Sequence, residues 1–211
     1  MRLPEFKSLL CLNGRLPARD AFEAYSDLPL VCADGAGNKV IALSLTPDLL
    51  IGDLDSVDLQ KVPAQCEVLR RIDQNKTDFK KCLIEMDKRG LLPCLIFGIS
   101  GGELDHTLNN LNCFMQSVKK YQNVLYDIDE NGCAKWGFAL DNQSFELEGQ
   151  LEKRLSILPY PEVRLTTSGL EWNLENETLA IDSKSSVRNR VKAPQTTITV
   201  HRGSAIVLID A

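Results

Sequence analysis

The stretch PDLLIGDLDSVD, residues 47–58, sets a hydrophobic run against a cluster of negative charge. Leu49, Leu50 and Ile51 are followed at once by Gly52, and then by three carboxylates within six residues, Asp53, Asp55 and Asp58. A short, continuously apolar run bounded by turn residues fits a strand buried on both faces of a parallel sheet. If the strand continues, Asp53 and Asp55 share a face, because side chains two apart point the same way. Two carboxylates about 5 Å apart repel by about 3 kcal/mol at an effective dielectric near 20. In a cleft, such a pair calls for a shared proton or a cation.

Similar runs recur along the first part of the chain, at residues 8–12, 30–33, 48–51, 67–72, 94–97 and 123–126. Helical patterns lie between them. From Thr77, apolar residues fall at Phe79, Leu83 and Met86, with Ile84 beside them, and Gly90 ends the pattern. Leu104, Leu108, Leu111, Met115 and Val118 form a second stripe. This alternation predicts a three-layer α/β domain over residues 1–129, built on a parallel sheet. After the turn-like IDENG, residues 130–211 change character. Short alternating segments at 144–147, 155–158, 163–167, 196–200 and 205–209, with Arg202-Gly203 read as the turn between the last two, predict an antiparallel β-sandwich.

The chain has 211 residues, a net charge of −5 and seven cysteines. That balance argues against non-specific binding to nucleic acid or anionic membrane and suits a cation or a metal. The cysteines form no CxxC pair and several sit in apolar runs, which predicts reduced thiols in a cytoplasmic protein rather than a zinc site. The apolar run near the N-terminus is too short for a membrane span.

Each predicted strand of the first domain ends in polar, glycine-rich chain: Asn13-Gly14, Asp34–Asn38 (DGAGN), Gly52–Ser56 (GDLDS), Asp73–Asp78 (DQNKTD) and Gly98–Gly102 (GISGG). Ligands of open α/β sheets bind outside the carboxyl ends of the strands. Loops are polar in general, but an aspartate directly after an apolar strand, repeated, points to one crevice. Asp53 and Asp55, with help from Asp78, are candidate ligands of a hard divalent cation, magnesium by the oxygen-only donor set. The glycine run before Leu104 could cradle a phosphate, although no Walker pattern follows. Asp105 also serves as a first-turn helix charge, His106 reads as a structural hydrogen-bonder, and His201 is placed beside a hairpin turn. Trp172, flanked by polar residues, offers a stacking face for a heteroaromatic or cationic ring if it is exposed.

Taken in order, these segments resemble thiamine pyrophosphokinases. ADGAGN (33–38), PDLLIGDLDS (47–56), DQNKTDFKKCL (73–83), GISGGELDHTLNNL (98–111) and GLEWNLENETLA (169–180) match the elements of that family at compatible spacings. The resemblance implies transfer of diphosphate from ATP to thiamine with Mg²⁺, releasing AMP, in a homodimer whose active sites lie between subunits. It implies catalytic and metal roles for Asp53, Asp55 and Asp78, with Gln74 beside them. Asp34, Asn38, Gln74, Thr77, Gly101, Gly102 and Asp105 would serve ATP, and Trp172, Ser186 and Asn189 would serve thiamine. Gly35-Ala36-Gly37 stands where the family has Gly-Gly-Ala, Arg188 stands where it has a small serine, and Arg190 where an acidic residue is common. Arginines near a cationic vitamin are expected to face phosphate or solvent. Two other readings fit the DxD element. One is a phosphatase of the haloacid dehalogenase type with Asp53 as covalent nucleophile, the other a non-catalytic nucleotide- or vitamin-binding module.

Overall fold

A computed structural model describes residues 3–211. The chain has a mixed α/β fold and divides into two compact units, one built mainly from Glu5–Phe114 and Asn123–Ala134, the other from Met115–Gln122 and Lys135–Ala211.

Six strands of the first unit run parallel: β1 (Ser8–Cys11), β2 (Leu30–Ala33), β3 (Leu49–Gly52), β4 (Glu67–Arg70), β5 (Cys94–Phe97) and β6 (Val124–Ile128). Their order is β6-β5-β1-β2-β3-β4. Every residue of β1, β2, β3 and β5 is buried, as their continuous apolar sequence requires. β4 is different. The sequence suggested an apolar strand to residue 72, but β4 stops at Arg70, its Val68 is half exposed, and Ile72 is exposed. It borders β3 alone among the described pairings. Arg89 makes a two-pronged bond to Glu67 on this edge, the kind of charge that keeps an open strand from pairing with other chains.

From β1 the chain steps outward through β2, β3 and β4, then returns to the other side of β1 for β5 and β6. The reversal leaves a topological switch point between β1 and β5, where a crevice opens at the carboxyl ends.

Four helices connect these strands: α1 (Asp20–Glu23), α2 (Ala36–Ala42), α3 (Asp78–Lys88) and α4 (Leu104–Ser117). α2 begins two residues after Asp34, so much of the glycine-rich segment after β2 is helical rather than loop. α3 starts at an extended Thr77 cap whose hydroxyl accepts from the Lys80 N–H, and Gly90 follows its end at φ 70°. Its buried face is not the one the apolar residues alone suggested. Phe79, Cys82 and Met86 are buried together with Lys81 and Glu85, whereas Ile84 is partly exposed. In α4, Cys113, Phe114 and Met115 are buried, but Leu104 and Leu108 are exposed. The first turns of α4 direct Asp105, His106 and Asn109 to a cavity, which leaves the leucine edge outside the core.

The second unit is antiparallel: β7 (Ala134–Asp141), β8 (Ser144–Glu148), β9 (Arg154–Ser168), β10 (Glu177–Ala180), β11 (Ser186–Arg190) and β12 (Gln195–Asp210). Here the sequence reading is corrected. Segments 155–158 and 163–167 are two halves of one strand, β9, and segments 196–200 and 205–209 are two halves of β12. Arg202-Gly203 is not a turn, and His201 lies inside the strand with Nε2 2.8 Å from Thr166 Oγ1. β12 crosses the turn-like residues through irregularities at Val200/Arg202 and Gly203/Ala205, which let it bend and change neighbours. Its first half pairs with β8, its second half with β7, and both halves pair with β9. The bend depends on Gly203, whose φ is 85° and where a Cβ would lie 2.2 Å from the Glu162 carbonyl oxygen. Gly203→Ala is expected to cost roughly 2–4 kcal/mol through combined strain and overlap, read as a lower urea midpoint.

Candidate active site

A cavity of about 880 Å³ opens at the carboxyl ends of the parallel strands, within the first unit. All five loops singled out by sequence contribute to it: Asn13 and Gly14 after β1, Asp34 and Gly35 after β2, Asp53, Asp55 and Ser56 after β3, Gln74 to Asp78 before α3, and Gly102 before α4.

Asp53 and Asp55 are not on one strand face, because β3 ends at Gly52. Between them Leu54 adopts a left-handed backbone, φ 70°, a strained conformation for leucine that costs on the order of 1 kcal/mol. The turn brings both carboxylates to the cavity by a different route from the one strand periodicity offered. Gly52 makes room beside them, since a Cβ there would lie 2.6 Å from the Cβ of Asp34. Asn38 braces the same turn: its Nδ2 donates to the Ser56 carbonyl (2.8 Å), and its Oδ1 accepts from the Asp58 N–H (2.9 Å).

Oxygens of Asp34, Asp53 and Asp55 lie within 4.8 Å of one another. Asp34 is buried, and its Oδ2 accepts from the Ser56 N–H at 3.3 Å while its Oδ1 has no hydrogen-bond partner. Burial pushes its carboxyl above the usual range, the negative charge of Asp78 adds to this, and the Ser56 N–H opposes it. Asp53 is held below its ordinary value by the hydrogen bond from Gln74 Nε2 (3.1 Å), which outweighs desolvation, and by the Lys81 charge. Asp55 accepts from Ser56 Oγ at 2.8 Å. Asp78 Oδ1 pairs with Lys81 Nζ at 2.9 Å. Burial disfavours the Lys81 charge, but Asp78, Asp53 and Asp34 together keep it above the usual lysine value. The structure thus groups Asp34 with Asp53 and Asp55, and gives Asp78 a lysine partner. Its buried orphan oxygen and hard donors fit a small divalent cation.

The other sequence candidates divide. Thr77, Gly102 and Asp105 line the cavity, whereas Asn38 and Gly101 do not. Gly101 packs against Arg15, and Asp105 Oδ1 accepts from the His106 N–H. Sequence reasoning missed Lys81, although it stands three residues after Asp78, a spacing that pairs side chains on a helix. It also missed the brace under the glycine loop. Ser100 Oγ donates to the mostly buried Asp127 carboxylate (2.8 and 2.9 Å), the Arg15 N–H donates to the Ser100 carbonyl (2.6 Å), and the Gly14 N–H to the Gly98 carbonyl (3.0 Å). Asp127 follows no motif, so only the fold reveals it.

In the second unit Trp172 is 60% exposed. Asn189 is buried and holds the backbone of that tryptophan: its Nδ2 donates to the Trp172 carbonyl (2.7 Å), and its Oδ1 accepts from the Trp172 N–H (3.2 Å). Nδ2 also lies 3.3 Å from Ser186 Oγ. The Arg190 charge is taken up by Glu152 (3.3 Å) and Glu171 (3.6 Å). Arg188 has φ 60°, and its N–H donates to Ser156 Oγ.

Residues 25–126 match the family model described as thiamin pyrophosphokinase, catalytic domain, and residues 143–207 match thiamin pyrophosphokinase, vitamin B1 binding domain. Thiamine pyrophosphokinase 3 of Oryza sativa subsp. japonica is 26% identical over 95% of this chain and 85% of its own. Thiamine pyrophosphokinase 1 of Arabidopsis thaliana is 25% identical over 93% of this chain and 78% of its own. Among solved structures, the thiamine pyrophosphokinase of Bacillus subtilis superposes with a TM-score of 0.79 at 20% identity, covering 97% of this chain and 99% of that one. The yeast enzyme gives 0.79 at 19% identity, covering 99% and 87%.

Asp34 also carries a stability prediction. Because its folded carboxyl binds a proton more readily than the unfolded one, its charge weakens the metal-free fold as pH rises through and above the ordinary carboxylate range. Asp34→Asn should therefore raise the melting temperature at pH 7 by about 3 °C, equivalent to roughly 1 kcal/mol. The gain should vanish as pH falls below that range, where the native aspartate is protonated. Calorimetry in chelator across pH checks this.

Proposed function

Because the chain belongs to the thiamine pyrophosphokinase family, we propose that its cavity binds ATP as a magnesium complex and that thiamine is the acceptor. The enzyme forms thiamine diphosphate with ATP as donor. The observation that carries this reading for the present residues is the gathering of Asp34, Asp53, Asp55, Gln74 and Asp78 around one cavity at the switch point.

Asp34, Asp53 and Asp55 would hold magnesium, with Asp78 in reserve beside them, and the ion when bound offsets the negative charge of the polyphosphate. Phosphoryl transfer asks a protein chiefly to position groups and balance charge. Gln74 fixes Asp53 through its amide, and Asn38 fixes the turn that carries Asp55. The glycine loop, braced by Ser100 and Asp127, brings Gly102 and the start of α4 to the phosphates. Asp55 accepts the proton of the thiamine hydroxyl as the new O–P bond forms at the β-phosphorus. The bond from that phosphorus to the oxygen it shares with the α-phosphate breaks, and AMP departs with that oxygen. Trp172 supplies the stacking face for the vitamin; Asn189 holds the backbone of that tryptophan, and Ser186 accepts from the Asn189 amide beside it. Neutralisation of Arg190 by Glu152 and Glu171 supports a site that tolerates a cationic ring.

The finer fold reading belongs to the same proposal: a three-layer nucleotide domain to about residue 129, then a β-sandwich. So do a homodimer with active sites between subunits and work in the cytoplasm, where the buried free thiols remain reduced. Among the described residues no helix is long and apolar enough to cross a membrane.

Incubation with ATP, Mg²⁺ and thiamine should yield AMP and thiamine diphosphate. Release of inorganic phosphate through a phospho-Asp53 would favour the phosphatase reading, and no turnover the binding-module reading. Asp55→Asn should lower turnover by about 100-fold or more while the melting temperature holds. Trp172→Ala should raise KM for thiamine by about tenfold and leave kcat little changed.

A further inference from the structure

Asp34, Asp53, Asp55 and Asp78 all line the cavity, and Lys81 is a buried ammonium among them. Its side chain is 5% exposed, with Nζ 2.9 Å from Asp78 Oδ1 and 4.0 Å from Asp53 Oδ2. Both ends are fixed. The backbone N–H donates to the Thr77 carbonyl in the first turn of α3, and the head sits between two carboxylates. An ion pair on a helix surface would sit in water and contribute little. This one is desolvated, lies on the cavity wall, and spans from its own helix to the loop after β3. An ammonium carries three N–H donors, and 4.0 Å to Asp53 is an attraction across space rather than a hydrogen bond.

We infer that Lys81 is a resident cation: it balances the carboxylate cluster before substrate binds, holds Asp78 apart from the Asp34–Asp53–Asp55 group, and keeps free divalent metal from binding tightly until a polyphosphate brings its own charge. This rests on the reading of that group as the metal-binding one. A positive charge within a few ångströms of a divalent ion opposes it directly, and in a partly desolvated site the effect reaches on the order of tenfold or more in affinity. When a polyphosphate arrives, its oxygens give the ammonium new acceptors, so the same side chain that repels bare metal favours the metal–nucleotide complex. Lys81 is thereby a positioning residue that sets the order of loading.

The test measures Mn²⁺ binding to the nucleotide-free protein by electron paramagnetic resonance, with no turnover involved. Lys81→Met should bind Mn²⁺ about tenfold or more tightly than the native protein, and Lys81→Arg about as weakly as it. The same Lys81→Met protein should lose affinity for inorganic tripolyphosphate in chelator. Should Lys81→Met fold poorly, the pair Asp78→Asn and Asp78→Asn/Lys81→Met replaces it, and the double variant should bind Mn²⁺ more tightly than the single one. Mn²⁺ affinity that ignores residue 81 overturns this role alone. Absence of Mn²⁺ binding in every protein, native included, overturns both this role and the metal reading beneath it.

Discussion

The repulsion among carboxylates at the carboxyl end of a parallel sheet governs this molecule. Asp34, Asp53, Asp55 and Asp78 converge from three loops on one cavity, and Asp34 is buried with an oxygen that no donor reaches. A protein selected for stability alone would not keep this arrangement, since an unpaired buried charge is among the costliest features a fold can carry. Its neighbours moderate the conflict without removing it: Lys81 faces Asp78, Gln74 faces Asp53, and Ser56 serves both Asp34 and Asp55. The residual imbalance is a standing affinity for positive charge.

The sheet topology explains why these groups meet. Parallel strands all end on the same side, so each strand-to-helix loop reaches the same rim. The turn back from β4 to β5 parts the loops at the centre of that rim. Local details then aim the side chains. Leu54 accepts a strained backbone so that Asp53 and Asp55 can both turn inward, and Asp127 secures the glycine loop from below through Ser100. The rim thus carries both a strained backbone at Leu54 and buried charge at Asp34 and Lys81, as expected where function and stability make opposite demands.

Much of this was legible in the sequence because the signals are local. A buried parallel strand needs a continuous apolar run, and β2 and β5 begin and end where their runs do. Thr77 and Gly90 bracket α3 through cap chemistry that four residues can specify. Pairing that depends on distant partners was harder to read. The two halves of β12 look like separate strands because Arg202-Gly203 has turn composition; only β9, running alongside, makes a bulged continuous strand the better use of those residues. The hydrophobic stripe of α4 was visible, yet not that Leu104 and Leu108 would face away from the core. At the site, the DxD element announced its carboxylates, whereas the grouping with Asp34, the Lys81 pair and the Asp127 brace arise from loops that meet only after folding. Asn189 adds a link of the same kind: its amide bonds the Trp172 backbone seventeen residues away, a tie that appears only once β11 is paired.

The pairing of β12 has a consequence for how the chain is made. β8 finds its ladder on β12, and β9 has its longest one there, yet β12 is synthesised after both. Among the described pairings, β8 bonds to β12 alone, so it emerges from the ribosome as an open edge with nothing to close it. The parallel unit has its six strands by residue 128 and can assemble first. Messages that stall or are cut before the final strand would therefore release a finished catalytic half tethered to sticky, unzipped β segments, a species destined for chaperones or aggregates rather than for partial activity.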